Sequence, residues 1–159
     1  MRGEFLTNIN TRDDIAFKSA SALRDLIASK QISPVELTEL YFRRIDNIDG
    51  KLNNYLTLNH DEAMAQARAA EQAIIDGETL GPLHGLPISI KDLEITKGLR
   101  TTGGSLAYED RVPTEDSIVA ERIRNSGAVI LGKTNTPEFG LLGRTENRLG
   151  EPCRNPWNP

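Results

Sequence analysis

Apolar side chains recur at helical spacing through the first 80 residues. Over 15–29, Phe17, Ala20, Leu23, Leu26 and Ile27 form one such stripe. Ser33-Pro34-Val35-Glu36 then reads as a helix start, with Ser33 as cap, Pro34 where a missing N–H costs nothing, and Glu36 closing a capping box. The helix it opens carries Val35, Leu37, Leu40, Tyr41, Ile45 and Ile48 and is predicted to stop at Gly50. A short extended piece follows at 54–58. A third, alanine-rich helix is predicted over 61–76, ended by Gly77. Its small residues Ala63, Ala67 and Ala70 predict close packing against a helix or a sheet.

The pattern then changes. Gly81-Pro-Leu-His-Gly-Leu-Pro87 is a stiff turn, and Leu86, Ile88, Ile90 and Leu93 form a mostly apolar run that reads as a buried strand. Thr101-Thr-Gly-Gly-Ser105 is predicted to be a flexible polar loop with free backbone N–H groups, but no Gly-Lys-Ser/Thr follows to make it a phosphate loop. An amphipathic helix is predicted over 116–125 with Ile118, Val119 and Ile123 on one side, stopped by Gly127. A buried strand follows over 128–131. Strand, crossover helix and strand make a βαβ unit and predict a parallel pair. From Gly132 to Pro159 no long periodic segment exists, and loops of that length usually line a site. Residues 1–14 are polar and unpatterned, a loose arm.

Composition narrows the functional classes. The 159 residues make one modest domain or part of a larger one. Nineteen Lys and Arg against 23 Asp and Glu leave a formal charge of −4 with no basic block, which argues against nucleic-acid or anionic-membrane partners. No apolar run approaches the roughly 20 residues of a membrane span, and the N-terminus lacks a signal-type pattern. The single Cys153 fits a reducing compartment. A cytoplasmic protein is the expectation. His60 and His84 have no Cys, Asp or Glu at ligand spacing, so no metal is expected, and no organic cofactor is expected either.

Into the apolar run 86–93 the sequence places one cation, Lys91, directly before Asp92. A lysine is almost never fully buried unless paired. One reading is an ion pair, or a strand that ends at Ile90 and leaves Lys91 in solvent. The other is a lysine desolvated for use as a general base: at the ordinary lysine pKa only about one in 2,500 is neutral at pH 7, and burial raises that fraction.

Five blocks decide between these readings. Pro82-Leu-His-Gly-Leu-Pro-Ile-Ser-Ile-Lys-Asp92, Thr101-Thr-Gly-Gly-Ser105, Ala128-Val-Ile-Leu-Gly-Lys-Thr-Asn135, Pro137-Glu-Phe-Gly140 and Arg154-Asn-Pro-Trp-Asn158 occur in the order seen in the amidase signature family. The chain resembles that family closely over 81–159 and more loosely over 15–80. The resemblance implies an α/β fold, here N-terminal helices plus the first βαβ part of a mixed central sheet flanked by helices. It also implies hydrolysis or transfer of amide C–N bonds by a serine nucleophile, a second serine in a cis peptide, and a lysine, which is Lys91. Neutral Lys91 would take a proton from the bridging serine, which in turn deprotonates the nucleophile.

Both serines of the family pattern lie downstream of the Asn-Pro-Trp-Asn block, so residues 15–159 are expected to be the N-terminal portion of a single amidase domain, inactive alone. Its partners are then a small-molecule amide substrate and the rest of its own domain. Ser89, Ser105, Ser117 and Ser126 match neither serine. Ser89 is assigned to packing, and Ser105 is a candidate for lining a substrate pocket. Asp92 is expected to point away from Lys91, since a tight ion pair would keep the lysine charged. Lys133 and Asn135 follow a buried strand, where site loops emerge. For Asn135, capping the segment at Pro137 or bonding loop backbone outweighs substrate contact. Cys153 has no His to support a thiolate nucleophile. The stretches 94–105 and 147–152 look more like free-standing amidases than like the amidotransferase subunit that supplies ammonia to mischarged transfer RNA. A non-catalytic remnant acting as a binding module is the reading from a different class.

Overall fold

The computed structural model describes residues 15–158, so the arm at 1–14 lies outside the described residues. In chain order, α1 (Ala20–Ala28) and α2 (Pro34–Leu52) lead to strand β1 (Tyr55–Leu58). Helix α3 (His60–Asp76), strand β2 (Pro87–Lys91), helix α4 (Ile118–Asn125) and strand β3 (Val129–Thr134) follow, with single 3-10 turns at Leu106–Tyr108 and Glu138–Gly140. The strand order is β1-β3-β2, with β2 parallel and β1 antiparallel to the central β3. The βαβ unit therefore forms as its pattern predicts, and the sheet is mixed.

Local chemistry sets most boundaries. Ser33 Oγ accepts from the Glu36 N–H while the Glu36 carboxylate accepts from the Ser33 N–H, so the capping box is complete. Helix α2 does not stop at Gly50. It runs to Leu52 and ends on Asn53, which takes the left-handed conformation at φ 56°. Asn53 can do so because its short amide reaches the Pro152 carbonyl at 3.1 Å, while Asp49 accepts from the Asn54 N–H at 2.7 Å. Helix α3 ends as expected, on Gly77 at φ 74°.

Three layers result. Ala63, Ala67 and Met64 of α3 and Phe42 and Ile45 of α2 pack on Val129 and Leu131 of β3. Ile90, Leu99, Ala120 and Ile130 form a smaller cluster on the opposite face. A third cluster joins α1 and α2 to Leu86 through Leu23, Ile27 and Leu37. Two apolar assignments differ from the pattern. Phe17 is outside the core, with the Arg44 guanidinium 4.8 Å above its ring. On α4, Ile118 and Val119 face outward while Ala120 and Ile123 meet the sheet. The phase of this eight-residue helix is set by Ser117, whose Oγ caps the Ala120 N–H and donates to Glu94 at 2.9 Å.

The pairing between β2 and β3 slips by one residue: Ile88 faces Ile130, but Ser89 faces Gly132. This bulge changes which face the later residues of β3 present. The neighbouring Ile130 N–H is taken by Gln66 Oε1 at 2.9 Å, and the Ile130 carbonyl by Asn59 Nδ2 at 3.3 Å, so side chains at α3 complete the strand where β1 does not reach. A Cβ on Gly132 would lie 2.3 Å from the Thr57 carbonyl oxygen, whereas one on Gly50 would meet nothing within 4 Å. Gly132→Ala is thus expected to destabilise by about 1–3 kcal/mol through backbone displacement. Gly50→Ala should stabilise by about 0.5–1 kcal/mol. Denaturant midpoints of the two variants check the contrast, and equal effects would refute it.

Candidate functional site

Lys91 is the last residue of β2, in register with Thr134 of β3, which in turn pairs with Tyr55 of β1. The candidate base thus stands at the carboxyl end of a parallel pair, the edge where open α/β sheets bind their ligands. Strand alternation puts Ser89 on the same face. Ser89 Oγ and the Tyr55 hydroxyl share a hydrogen bond, and burial pushes the Tyr55 phenol up. Ser89 is half-buried and its hydroxyl is engaged by Tyr55. Lys91 itself is exposed, and among the described residues no hydrogen bond or ion pair engages its ammonium. Of the two readings of this lysine, the described residues show the one that leaves Lys91 in solvent, because its side chain stands on the face away from the Ile90 cluster.

Asp92 points the other way and is fully buried. Its Oδ2 accepts from the Thr102 N–H at 3.0 Å and from the Thr102 hydroxyl, and its carbonyl accepts from the Gly103 N–H at 3.0 Å. The expected separation of Asp92 from Lys91 is therefore seen. The loop it holds is a correction to the pattern reading. Residues 101–105 are buried, and none of their N–H groups is free. Thr101 bonds to the Arg111 carbonyl, Thr102 and Gly103 to Asp92, Gly104 to the Thr102 hydroxyl, and Ser105 to the Thr102 carbonyl. Composition alone looks flexible here; a buried carboxylate makes the segment rigid.

The desolvated cation is Lys133. The bulge turns it onto the Ile90 side of the sheet, where it is 0% exposed. Its ammonium donates to the Glu94 carbonyl oxygen and to Thr96 Oγ1, the latter at 2.7 Å. Burial lowers its pKa to about 8, opposed by the carboxylates of Asp92 and Glu94, with Arg111 adding to the lowering and Asp116 to the opposition. Two signals in the sequence point to it: a glycine inside a strand pattern marks a bulge, and a bulge re-aims the residue that follows.

The remaining candidates are structural. Asn135 Oδ1 accepts from the Thr136 N–H at 2.8 Å and from Asn147 Nδ2 at 2.7 Å, and its Nδ2 donates to the Asn53 carbonyl at 2.9 Å. It bonds loop backbone and does not cap the turn at Glu138–Gly140, whose first position has no side-chain cap. Cys153 donates to the same Asn53 carbonyl at 2.9 Å, and burial pushes its thiol up, away from thiolate chemistry. Ser105 Oγ accepts from the Ala107 N–H at 3.3 Å and borders an open cavity of about 500 Å³ with Leu106, Leu142 and Asn147. Lys91 does not line that cavity. His84 Nε2 donates to the Ala70 carbonyl at 2.9 Å, and the His60 ring lies 4.5 Å from that of Phe42. Among the described residues, no three His, Cys, Asp or Glu side chains converge as a metal site would require, and no helix is long and apolar enough to cross a membrane.

Residues 36–159 match the amidase family along their whole length. The chain belongs to the amidase family. A glutamyl-tRNA(Gln) amidotransferase subunit of Moorella thermoacetica is 42% identical over 145 residues, covering 91% of this chain and 30% of that protein. The acylamidase of Rhodococcus erythropolis is 37% identical over 147 residues, covering 92% and 31% respectively. Among solved structures, a bacterial aryl acylamidase of the amidase signature family superposes with a TM-score of 0.83 at 37% identity, over 89% of this chain and 30% of its own. The chain thus spans about 30% of the length of the relatives it matches.

Lys133 makes stability depend on pH in a definite direction. Its folded pKa lies below the ordinary value of 10.5, so between about 8 and 10.5 the unfolded chain holds a proton that the fold has released. Stability from this group therefore rises with pH across that window and is flat below it. Relative to Lys133→Met, the thermal midpoint of the protein is expected to improve between pH 7.5 and pH 10. A difference that stays constant over that range would show that Lys133 does not titrate there.

Proposed function

We propose that this chain forms part of an amide C–N hydrolase in which Lys91 is the general base. The observation that carries the reading is the separation of Lys91 from Asp92: adjacent in sequence, they leave β2 on opposite faces. The carboxylate is occupied by Thr102 and the ammonium is unengaged among the described residues. A lysine left free of ion pairs at the carboxyl edge of a parallel strand pair can serve as the base of the family's serine–serine–lysine chemistry once it is also withdrawn from water. The nucleophile and bridging serine belong to the part of the domain that this chain does not span. Ser105, Ser117 and Ser126 are each committed to helix or turn backbone.

The mechanism divides accordingly. Lys91 takes the proton of the bridging serine, that serine takes the proton of the nucleophile, and the nucleophile attacks the amide carbonyl. The C–N bond breaks as the relay returns a proton to the leaving amine, and a water deprotonated through the same relay then hydrolyses the acyl-serine to the acid and the free serine. Within this chain, β2 and β3 fix the base, and the bonds of Asp92 hold the backbone immediately after it. The exposed Lys91 becomes desolvated where the remainder of the domain covers this edge.

The relatives include both an acylamidase and an amidotransferase component, and the free-standing amidase is the reading favoured by the sequence of 94–105 and 147–152. In the intact protein Lys91→Ala should abolish hydrolysis of simple amides, a loss of at least about 100-fold for a general base, with the circular-dichroism spectrum unchanged. Activity within a few-fold of wild type would overturn the assignment of Lys91. Dependence of wild-type activity on transfer RNA and a partner protein would favour the amidotransferase reading.

A further inference from the structure

Two fully buried charges lie beneath the candidate base, and the serine–serine–lysine chemistry uses neither. Lys133 is paired in register with Ile90, the residue before Lys91, and sits on the opposite face of the strand from Lys91. Asp92, the residue after Lys91, is buried on that same side. Lys133 donates hydrogen bonds to the Glu94 backbone carbonyl and the Thr96 hydroxyl, which closes the turn following β2. Asp92 spends one oxygen and its carbonyl on Thr102 and Gly103, while its second oxygen, Oδ1, has no hydrogen-bond partner.

A buried carboxylate oxygen without a donor is costly unless a positive charge lies near it. Lys133, equally buried on that side of the strand and in register with Ile90 two residues before Asp92, is the cation placed to supply that charge, and Asp92 is first among the carboxylates acting on it. The other charged groups acting on Lys133 are Glu94, Arg111 and Asp116. Arg111 donates to the Thr101 carbonyl at 2.8 Å, and Asp116 is already bonded to Arg124 at 3.0 Å and to the Lys97 N–H at 2.7 Å. The Glu94 carboxylate accepts from Ser117 Oγ at 2.9 Å, so among the carboxylates acting on Lys133 it is Asp92 that is fully buried with an oxygen no donor reaches.

We propose that Lys133 is a positioning residue for Lys91: it ties down the turn after the candidate base and balances the buried Asp92 charge that would otherwise draw on the Lys91 ammonium. Lys91 stays free of an ion pair because its neighbour's charge is satisfied from below the sheet. The inference rests on the reading of Lys91 as the base, but its test does not use turnover.

The experiment is trace acetylation of the intact protein with acetic anhydride at pH 7, where Lys133 still holds its charge, following the rate at the Lys91 side chain by peptide mass spectrometry. An uncompensated Asp92 holds the Lys91 proton and slows acylation; a neutral residue 92 releases it. Lys133→Met is therefore expected to slow labelling of Lys91 by about threefold or more, Asp92→Asn to speed it, and the double variant to return towards wild type. A purely structural role for Lys133 would loosen the turn and change the rate in the same direction for both single variants. That outcome, or unchanged rates, would overturn the proposal. Should Lys133→Met fail to fold, Lys133→Gln, which keeps a hydrogen-bond donor but not the charge, decides: slower labelling supports the balance, and equal or faster labelling refutes it. Amide hydrolysis by wild type, measured separately, reports on the hydrolase reading, so the two fail independently.

Discussion

A lysine withdrawn from water must be given oxygen atoms, and the arrangement around β2 and β3 follows from how Lys133 obtains them. Its ammonium takes the Glu94 carbonyl and the Thr96 hydroxyl, which fixes the turn after Lys91. Its charge makes a fully buried Asp92 tolerable, and Asp92 in turn organises the Thr102–Gly104 backbone. One buried cation thereby couples three separate segments: the end of β2, the loop at 101–105 and the end of β3. Two opposite charges buried in one region constrain each other even without direct contact, because removing either leaves the other uncompensated in a dry interior.

The geometry that admits Lys133 depends on Gly132. A regular strand would send residues 129, 131 and 133 to the same face, the one packed by α2 and α3, where Ala63, Ala67 and Phe42 leave no place for a charge. The bulge reverses the direction of Lys133, and the close approach of the Thr57 carbonyl leaves no room for a Cβ at Gly132. The same adjustment brings Thr134 into line with Lys91 and Tyr55 at the edge where the family's chemistry is proposed to occur. Strand irregularity and site are thus one feature.

On the other side of β1, a network of amides performs a similar service without charge. Asn53 in its left-handed turn offers its carbonyl to both Asn135 and Cys153, and Asn135 is bonded in turn by Asn147. The long segment after β3 has little regular structure, yet it is held against the end of α2 by side chains that satisfy backbone groups. This is how a loop rich in Asn, Gly and Pro becomes a defined surface bordering a cavity rather than a loose strap.

Periodicity and turn chemistry determined the helices, the capping box at Ser33, the stop at Gly77 and the parallel pair, because each depends on residues close in sequence. Five ordered motif blocks were sufficient to place the chain in its family and to single out Lys91. Tertiary structure alone decided the rest. Phe17 and Ile118 look apolar enough for a core but are turned outward by the phase of their segments. Thr101–Ser105 looks flexible and is buried, because the carboxylate of Asp92, outside the segment, reaches Thr102 through the fold. Lys91 looks like the desolvated lysine, while the chain buries Lys133 instead. Desolvation is a property of what surrounds a group on all sides, and a linear pattern records only the neighbours along the chain.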